Sequence, residues 1–281
     1  MALSIHTNYS SLITNTALNK SNNALATNQQ RLGTGLRINS AADDAAGLQI
    51  ATRLNAQSRG MSVAMRNTSD ATSMLQTAEG AFSEATDILQ RMKDLSTQAA
   101  NGTNAAKDLT ALNTEFAELG NELKNIMANT KYAGEALFGT GGKLTGDIKF
   151  QIGASATEVL TLTATSTDIA NTFTALNATV PGLNISTSAG ATAAITGVET
   201  ALDQVGKTRA AFGANINRLS HTNNNLANMK DNTEMAKGRI MDADFAMESA
   251  NMSKNSMLMQ SGISMLKQAG QMPGMVMGLL G

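Results

Sequence analysis

The sequence predicts a mainly α fold: a long antiparallel helical bundle or coiled coil from paired N- and C-terminal segments, with a small β-hairpin insertion in the middle. Three observations support this prediction. Apolar residues recur at seven-residue spacing in both halves of the 281-residue chain, as in helices that lie in long contact. Between the halves, hydropathy alternates as in a strand. Aromatic residues make up 3% of the chain and Trp is absent, which suits narrow helical seams.

Two seams carry the seven-residue spacing. The first contains Leu54, Met61, Thr68, Leu75, Phe82 and Leu89. The second contains Val198, Val205, Phe212, Leu219 and Leu226. A further series from Met74 to Leu95 steps by four and three residues and covers a face next to the first seam. This helix should therefore contact more than one neighbour.

The first predicted helix runs from about Ser10 to Arg37 and is polar almost throughout. Its thin apolar stripe consists of Leu18, Leu25 and Leu32 at seven-residue spacing. A helix this polar is marginal alone and needs partners to form stably. We therefore expect the terminal segments to be disordered in a free subunit and to become helical on assembly.

Glycines and capping residues separate the first helix from the second. Gly33 and Gly35 end the first helix, and Asn39–Asp44 supplies caps and early negative charge for the second. The second helix is predicted from about Asp43 to Ala99, with Gly60 as a candidate for a break.

A turn at Asn101–Thr103 precedes a third amphipathic helix, whose apolar residues step by three and four from Leu109 to Ile126. From about Thr140 the period changes from that of a helix to that of a strand. A turn at Gly153–Ala156 then joins two alternating segments, so we predict a β-hairpin. Its strands contain Ile148, Phe150 and Ile152 on one side and Val159–Thr163 on the other.

The segment from about Thr163 to Thr196 is rich in Ser, Thr, Ala and Gly and shows little periodicity. It should be the exposed and least constrained part of the chain. Helical period resumes at Ile195 and a final amphipathic segment follows to Leu279. Because helical segments at both ends enclose an irregular middle, the two ends most simply pair with each other.

Composition excludes several classes of function. The net charge is -1 without a dense basic stretch, so nucleic acid is not an expected partner. There is no cysteine, which rules out disulfides and thiol chemistry. The first 15 residues do not resemble a signal peptide, and no stretch approaches the roughly 18 apolar residues of a membrane span. We expect a soluble chain, no membrane partner, and export by a route independent of a signal peptide.

Catalytic motifs are absent from the sequence. His6 and His221 are the only histidines, and neither lies in HExxH; a phosphate-binding GxxxxGK[ST] and a GxSxG are also missing. The pairs Asp43–Asp44 and Asp242–Asp244 lack the loop glycine and further ligands of a calcium site, which favours helix capping. We predict no enzymatic activity, cofactor or metal, and a function in assembly.

Three long stretches resemble bacterial flagellins, the subunits of flagellar filaments. They are Arg31–Ile50 (RLGTGLRINSAADDAAGLQI), Leu89–Asn104 (LQRMKDLSTQAANGTN) and Gly213–Glu248. The resemblance covers nearly everything outside about 140–196, and the short middle is similar to that of lateral, swarming-type flagellins. Several methionines near the C-terminus, including Met257 and Met265, stand where the family usually has Ile, Leu or Val.

The resemblance implies three domains. Residues 1–42 with 237–281 would form an inner terminal helical domain, residues 43–139 with 197–236 a helical bundle, and residues 140–196 a small variable β and loop region. It also implies a secreted subunit, exported unfolded by the flagellar type III route, that polymerises with itself into an extracellular filament for swimming or swarming.

The resemblance further implies partners and their sites. A flagellar export chaperone would cover the C-terminal helix, and filament cap and hook-filament junction proteins would contact the polymer. The implied assembly and chaperone-binding residues are Leu18, Leu25, Leu32, Leu258, Ile263, Leu266, Val276, Leu279 and Leu280. Arg91, Leu95 and Glu122 match positions that Toll-like receptor 5 contacts, although Leu95 also belongs to a packing series. Two alternatives remain: a hook-filament junction protein, and a secreted helical adhesin or receptor ligand used as a monomer.

Overall fold

A computed structural model describes residues 8–139 and 141–280, and their side chains except those of residues 163–166, 272, 273 and 275–280. The helices are α1 (Tyr9–Thr34), α2 (Ala45–Ala100), α3 (Ala106–Asn129), α4 (Thr163–Thr174), α5 (Ser188–Met241) and α6 (Phe245–Leu280). The strands are β1 (Lys131–Tyr132), β2 (Glu135–Ala136), β3 (Lys149–Gln151) and β4 (Val159–Thr161). The predicted mainly α fold with paired terminal segments and a middle hairpin is confirmed.

The chain divides into two compact units. The terminal unit combines residues 1–56 with 232–281, and the central unit spans residues 57–231. The three-domain division predicted above has different boundaries and stays a prediction. Within the described part of the chain, no helix has the length and hydropathy needed to cross a membrane.

In the central unit, α2 packs antiparallel to both α3 and α5. The Phe82 ring on α2 lies 5.8 Å from the Phe212 ring on α5, between centroids, and Arg91 on α2 pairs with Glu115 on α3. The first seam is buried from Met61 to Leu89. Its polar member, Thr68, satisfies its hydroxyl by donating to the Ala64 carbonyl at 2.8 Å.

Gly60 does not break α2, contrary to the expectation above. The helix continues through it because the tip of the hairpin, rather than a bend, occupies the space beside this glycine. A Cβ at Gly60 would lie 2.8 Å from the Cβ of Ala154. The absence of a side chain therefore lets the hairpin approach the helix closely.

The predicted hairpin is confirmed, with Phe150 on β3 opposite Leu160 on β4. The Asn67 amide of α2 donates to the Gln151 carbonyl at 3.1 Å and ties the hairpin to the helix. A second antiparallel pair, β1 with β2, was not predicted. Each of its strands has two residues, too few for a period, and its only local signal is the turn at Ala133 and Gly134, both with positive φ.

The expectation that residues 163–196 are exposed and unconstrained is wrong. They contain α4, a π-helical turn at Ala175–Thr179 and the start of α5, and Ile169, Leu176 and Ile185 are buried in the central core. Widely spaced apolar residues suffice here because α3 and α5 supply the rest of the packing surface. Against α3, for example, a Cβ at Gly120 would lie only 3.1 Å from the Pro181 backbone.

Candidate assembly interface

The terminal unit is built on an antiparallel pair of helices, α1 and α6. At one end the Asn8 amide donates to the Ala269 carbonyl at 2.6 Å, and Asn8 also caps α1 by accepting from the Ser11 N–H. Near the other end, Arg31 pairs with Glu248 at 3.0 Å. Contacts at both ends therefore fix the register of the two helices.

Residues 35–37 and 241–243 close one end of this pair. Gly35 ends α1 in the left-handed conformation, with φ +71°, and its N–H donates to the Arg31 carbonyl. Leu36 and Asp242 then form an antiparallel bridge. The Arg37 N–H donates to the Met241 carbonyl at 2.6 Å, and the Arg37 guanidinium donates to the Ile240 carbonyl at 2.9 Å.

The aspartates near this closure act as caps. Asp43 Oδ2 accepts from the Ser40 N–H at 2.9 Å and the Asn39 N–H at 3.1 Å. These hydrogen bonds, first that from Ser40, lower the pKa of the Asp43 carboxyl. Asp44 accepts from the Gly47 N–H at the start of α2, and Asp244 accepts from the Ala246 N–H at the start of α6, so each aspartate pair contains a helix cap. Among the described residues, no cluster of three or more His, Asp or Glu side chains could hold a metal ion.

The facing positions of α1 and α6 follow a heptad pattern, but most of them are only half-buried. On α1 these positions are Ser11, Thr14, Leu18, Ser21, Leu25, Asn28 and Leu32. On α6 they are Glu248, Met252, Asn255, Met259, Gly262, Leu266 and Ala269. Polar residues occupy more than half of the α1 set. The pair consequently has a thin, partly polar seam instead of an apolar core.

A polar cluster lies within this seam. Glu248 is buried and pairs with Arg31. With the Asn28 amide turned to match its surroundings, its nitrogen donates to Glu248 at 3.1 Å and its oxygen accepts from Asn255 at 3.1 Å. Sequence reasoning missed this cluster, although one signal was available: Glu248 is the only acidic residue in α1 and α6.

The structure divides the predicted assembly residues into three groups. Leu18, Leu25, Leu32 and Leu266 lie half-buried in the seam. Leu258 and Ile263 are exposed. The side chains of Val276, Leu279 and Leu280 lie outside the described residues. The first two groups thus serve different surfaces: one joins α1 to α6, and the other faces outward.

Large apolar side chains remain exposed mainly in the terminal unit. Among the described residues they are Tyr9, Leu12, Ile13, Ile50, Met235, Phe245, Met247, Met257, Leu258, Ile263 and Met265. The central unit has two, Val63 and Met229. Where such side chains adjoin one another, the exposed apolar surface marks an interaction site.

The exposed apolar side chains of α6, except that of Met257, flank the seam on both sides. Met265 follows Met247 by 18 residues and Leu258 follows it by 11, about five and three helical turns, so the three lie in one line along α6. Phe245 and Ile263, also 18 residues apart, form a second line on the other side of the seam. Pairing with α1 therefore leaves apolar surface on both flanks of α6.

The predicted receptor residues lie in the central unit and differ in exposure. Arg91 and Glu122 are exposed, and Arg91 donates to Glu115 Oε1 from Nη2 at 2.6 Å and from Nε at 3.0 Å. Leu95 is only 1% exposed and belongs to the core. Leu95 therefore offers no exposed surface to a receptor, in keeping with its place in the packing series from Met74 to Leu95.

Comparisons with known proteins match both ends of the chain. The family model of the bacterial flagellin N-terminal helical region matches residues 5–141, and that of the C-terminal helical region matches residues 195–280. Flagellin A of Vibrio anguillarum is 34% identical over an alignment of 381 positions, gaps included, that covers both chains fully. A flagellin of Halalkalibacterium halodurans is 39% identical over 251 residues, covering 89% of this chain and 90% of its own. The crystal structure of Bacillus cereus flagellin is 35% identical, with a TM-score of 0.48, over 57% of this chain and 88% of its own.

Proposed function

The chain belongs to the bacterial flagellin family, and we propose that its terminal unit supplies the subunit contacts through which it polymerises. As a flagellin it is a structural subunit of the extracellular flagellar filament and not an enzyme. The observation that carries the proposal is the concentration of exposed apolar side chains on the terminal unit.

The free energies of burial and association support assembly through the exposed apolar side chains of the terminal unit. Burying a Leu, Met or Phe side chain fully contributes about 1.5–3 kcal/mol. Association costs an estimated 4–15 kcal/mol in lost translational and rotational freedom. Several of the eleven exposed apolar side chains, buried together, offset that cost. A head-to-tail contact between two different patches, repeated without closing, produces an open helical filament.

A paired substitution tests the assembly surface. The variant Leu258→Ser with Ile263→Ser removes two exposed apolar side chains from α6, and Val63→Ser removes one from the central unit as a matched control. We expect the α6 variant to stay monomeric under conditions in which the parent and the control form filaments, as seen by negative-stain electron microscopy and sedimentation. Equal filament yield from all three proteins would contradict the proposal.

We further propose that α1 and α6 become ordered only on assembly. Their seam is thin and partly polar, so an isolated pair has little to offset the entropy of ordering two long helices. Hydrogen exchange should find fast-exchanging amides in α1 and α6 of the dilute subunit and protected ones in the filament. Protected terminal amides in the dilute subunit would count against this idea.

The side of α6 that faces α1 in the pair, together with its two flanks, is also our proposed chaperone site, accessible while the pair is unformed. An amphipathic helix that presents Leu258 and Ile263, with Leu266 beside them, suits a partner that binds a helix in an apolar groove. Val276, Leu279 and Leu280 are assigned to the same site from the sequence. Deleting about the last 40 residues should abolish both chaperone binding and filament formation, and intact filaments from this truncation would refute the assignment.

We propose export of the unfolded chain by the flagellar type III route. The absence of cysteine supports it, because no disulfide could obstruct passage of an extended chain. In a strain that lacks this export apparatus the protein should remain in the cells, whereas secretion unchanged from the parent level would exclude the route. The filament cap and hook-filament junction proteins are the proposed partners at the ends of the polymer.

Arg91 and Glu122 are our proposed contacts for Toll-like receptor 5, and the buried Leu95 supports them only as a core residue. Arg91→Ala should reduce receptor signalling by the monomer in a reporter-cell assay. Lys93→Ala is the control, because it removes another exposed ion pair of α2, that with Glu199. Equal signalling by the parent and by Arg91→Ala would contradict the assignment of Arg91 as a receptor contact.

The short middle region supports a lateral, swarming-type role. Deletion of the gene should abolish surface swarming and leave swimming in liquid largely intact. Loss of all filaments on intact hooks would instead indicate a junction protein.

A further inference from the structure

We infer that Met247, Met257 and Met265 on α6 are sites of reversible oxidation that control whether a free subunit can polymerise. The inference rests on the proposed role of the terminal unit in assembly. It starts from the wide range of exposure among the methionines in the described part of the chain, whose full sequence contains 17.

The extremes of this range follow the two units, with Met229 of the central unit (38% exposed) and Met235 of the terminal unit (55% exposed) between them. Met247, Met257 and Met265 in the terminal unit are 62%, 70% and 61% exposed. In the central unit, Met61, Met74, Met92 and Met127 are at most 5% exposed. Methionine oxidation depends on access of the oxidant to sulfur. The same molecule therefore contains an exposed set and a protected set that serves as an internal reference.

The chemistry needs only a peroxide. The sulfur lone pair attacks one oxygen of hydrogen peroxide, the O–O bond breaks, and a sulfur–oxygen bond forms while water leaves. Sulfur is oxidised by two electrons and the peroxide is reduced. The product is a sulfoxide, which methionine sulfoxide reductases convert back to the thioether.

The location makes this change consequential for assembly. Met247 and Met265 lie in one line with Leu258 on the flank of α6, whereas Met257, 70% exposed, points away from the seam. A sulfoxide is polar, and burying it in an apolar contact without a hydrogen-bond partner is unfavourable. Oxidised subunits should thus fail to bury this flank against a neighbour, whereas subunits already in a filament should be shielded from the oxidant.

The test treats the intact chain with hydrogen peroxide and follows each methionine by peptide mass spectrometry. In the free subunit we expect Met247, Met257 and Met265 to oxidise at least about tenfold faster than the four buried methionines. The same three should react at least about tenfold more slowly in filaments. Equal rates for exposed and buried methionines, or equal rates in subunit and filament, would overturn the inference.

Assembly is then measured on the oxidised subunits. We expect the subunit concentration needed for filament growth to rise about tenfold and to return after treatment with the two sulfoxide reductases. The variant Met247→Leu, Met257→Leu, Met265→Leu should polymerise normally after peroxide, and Met229→Leu, the matched control, should stay peroxide-sensitive. Peroxide inhibition of the triple variant equal to that of the parent would contradict the inference.

Two further measurements keep the outcomes distinct. If the triple variant does not polymerise untreated, the single variant Met265→Leu should still show partial resistance to peroxide, and the absence of this resistance would count against the inference. If the untreated parent does not polymerise, the proposed role of the terminal unit fails, while the oxidation rates of the free subunit still test the site.

Discussion

The terminal and central units both have apolar residues at heptad spacing, but nearly all of the buried apolar residues belong to the central unit. Of the 36 buried apolar residues in the described part of the chain, 33 belong to the central unit. The terminal unit has Ile38, Ala51 and Ala269. It also keeps most of the large apolar side chains that remain exposed. Two paired helices cover only one stripe on each other, whereas a third layer is needed to bury the flanks.

The central unit obtains that layer from within the chain. Phe138, which follows β2, packs against Phe82 with ring centroids 4.9 Å apart, and Thr172 on α4 meets Thr208 on α5 through a buried hydroxyl pair at 2.9 Å. The terminal unit has no comparable segment among its described residues. Under the proposed role of the terminal unit, neighbouring subunits of the filament supply the missing layer.

Removing a phenylalanine from each unit tests this contrast with the largest expected effect. Phe82→Ala should lower the free energy of unfolding of the central unit by about 3–5 kcal/mol, because it leaves a cavity in a closed core. Phe245→Ala removes an exposed side chain of the terminal unit and should lower the subunit's free energy of unfolding by about 0.5 kcal/mol or less. It should nevertheless weaken polymerisation. Urea unfolding followed by circular dichroism measures both, and similar losses would break the comparison.

Ion pairs offer a second contrast. Arg31→Met leaves Glu248 buried without its partner. We expect filament stability to fall by about 2 kcal/mol, less than for a fully buried pair because Arg31 is partly exposed. Arg91→Met, in the exposed pair with Glu115, should cost about 0.5 kcal/mol. The effect of Arg31→Met is measured as the urea concentration at the midpoint of filament dissociation. The effect of Arg91→Met is measured by urea unfolding of the subunit.

A double substitution completes this prediction. Combining Arg31→Met with Glu248→Met should recover most of the lost filament stability, because no unpaired charge remains in the seam. A double variant as weak as Arg31→Met alone would mean that the pair itself, and not the burial of an unpaired carboxylate, stabilises the terminal helices.

Substitutions at two glycines of α2 test how tightly the helix is packed at each position in the central unit. Gly60→Ala should destabilise it by about 1 kcal/mol, since the new Cβ would meet Ala154 at the tip of the hairpin. Gly80→Ala should stabilise it by about 0.5–1 kcal/mol, because nothing lies within 4 Å of the new Cβ and alanine favours the helix. Thermal unfolding of the two variants should shift in opposite directions.

The smallest expected effect is a dependence on acid in the terminal unit. The pKa of Asp43 is lowered in the folded state, so its contribution to stability is present above its unfolded pKa of about 3.9 and is lost as pH falls through the lowered value. Asp43→Asn should remove this part of the acid sensitivity of filaments. Turbidity recorded during titration below about pH 4 measures it, and an unchanged profile would contradict the assignment.

Local patterns predicted much of the fold because local interactions decide it. The three- and four-residue steps of α3, the alternation around β3 and Gly35 at the end of α1 each depend on neighbouring residues. The helical content of residues 163–187 escaped prediction because α4 is stabilised by packing on α5 and not by its own period. Arg31 and Glu248 escaped because 217 residues separate them, and no local rule joins them.

By itself the sequence determined the helical class, the pairing of the two ends and the family, because periodicity and long matching stretches are properties of residue order. Only the tertiary structure decided which helix faces are buried. It turned Leu95 into the core, left Leu258 and Met257 outside, and placed Glu248 against Arg31. The physical reason is that burial depends on what packs against a stripe, and a stripe looks the same in sequence whether its cover lies in the same chain or in the next subunit.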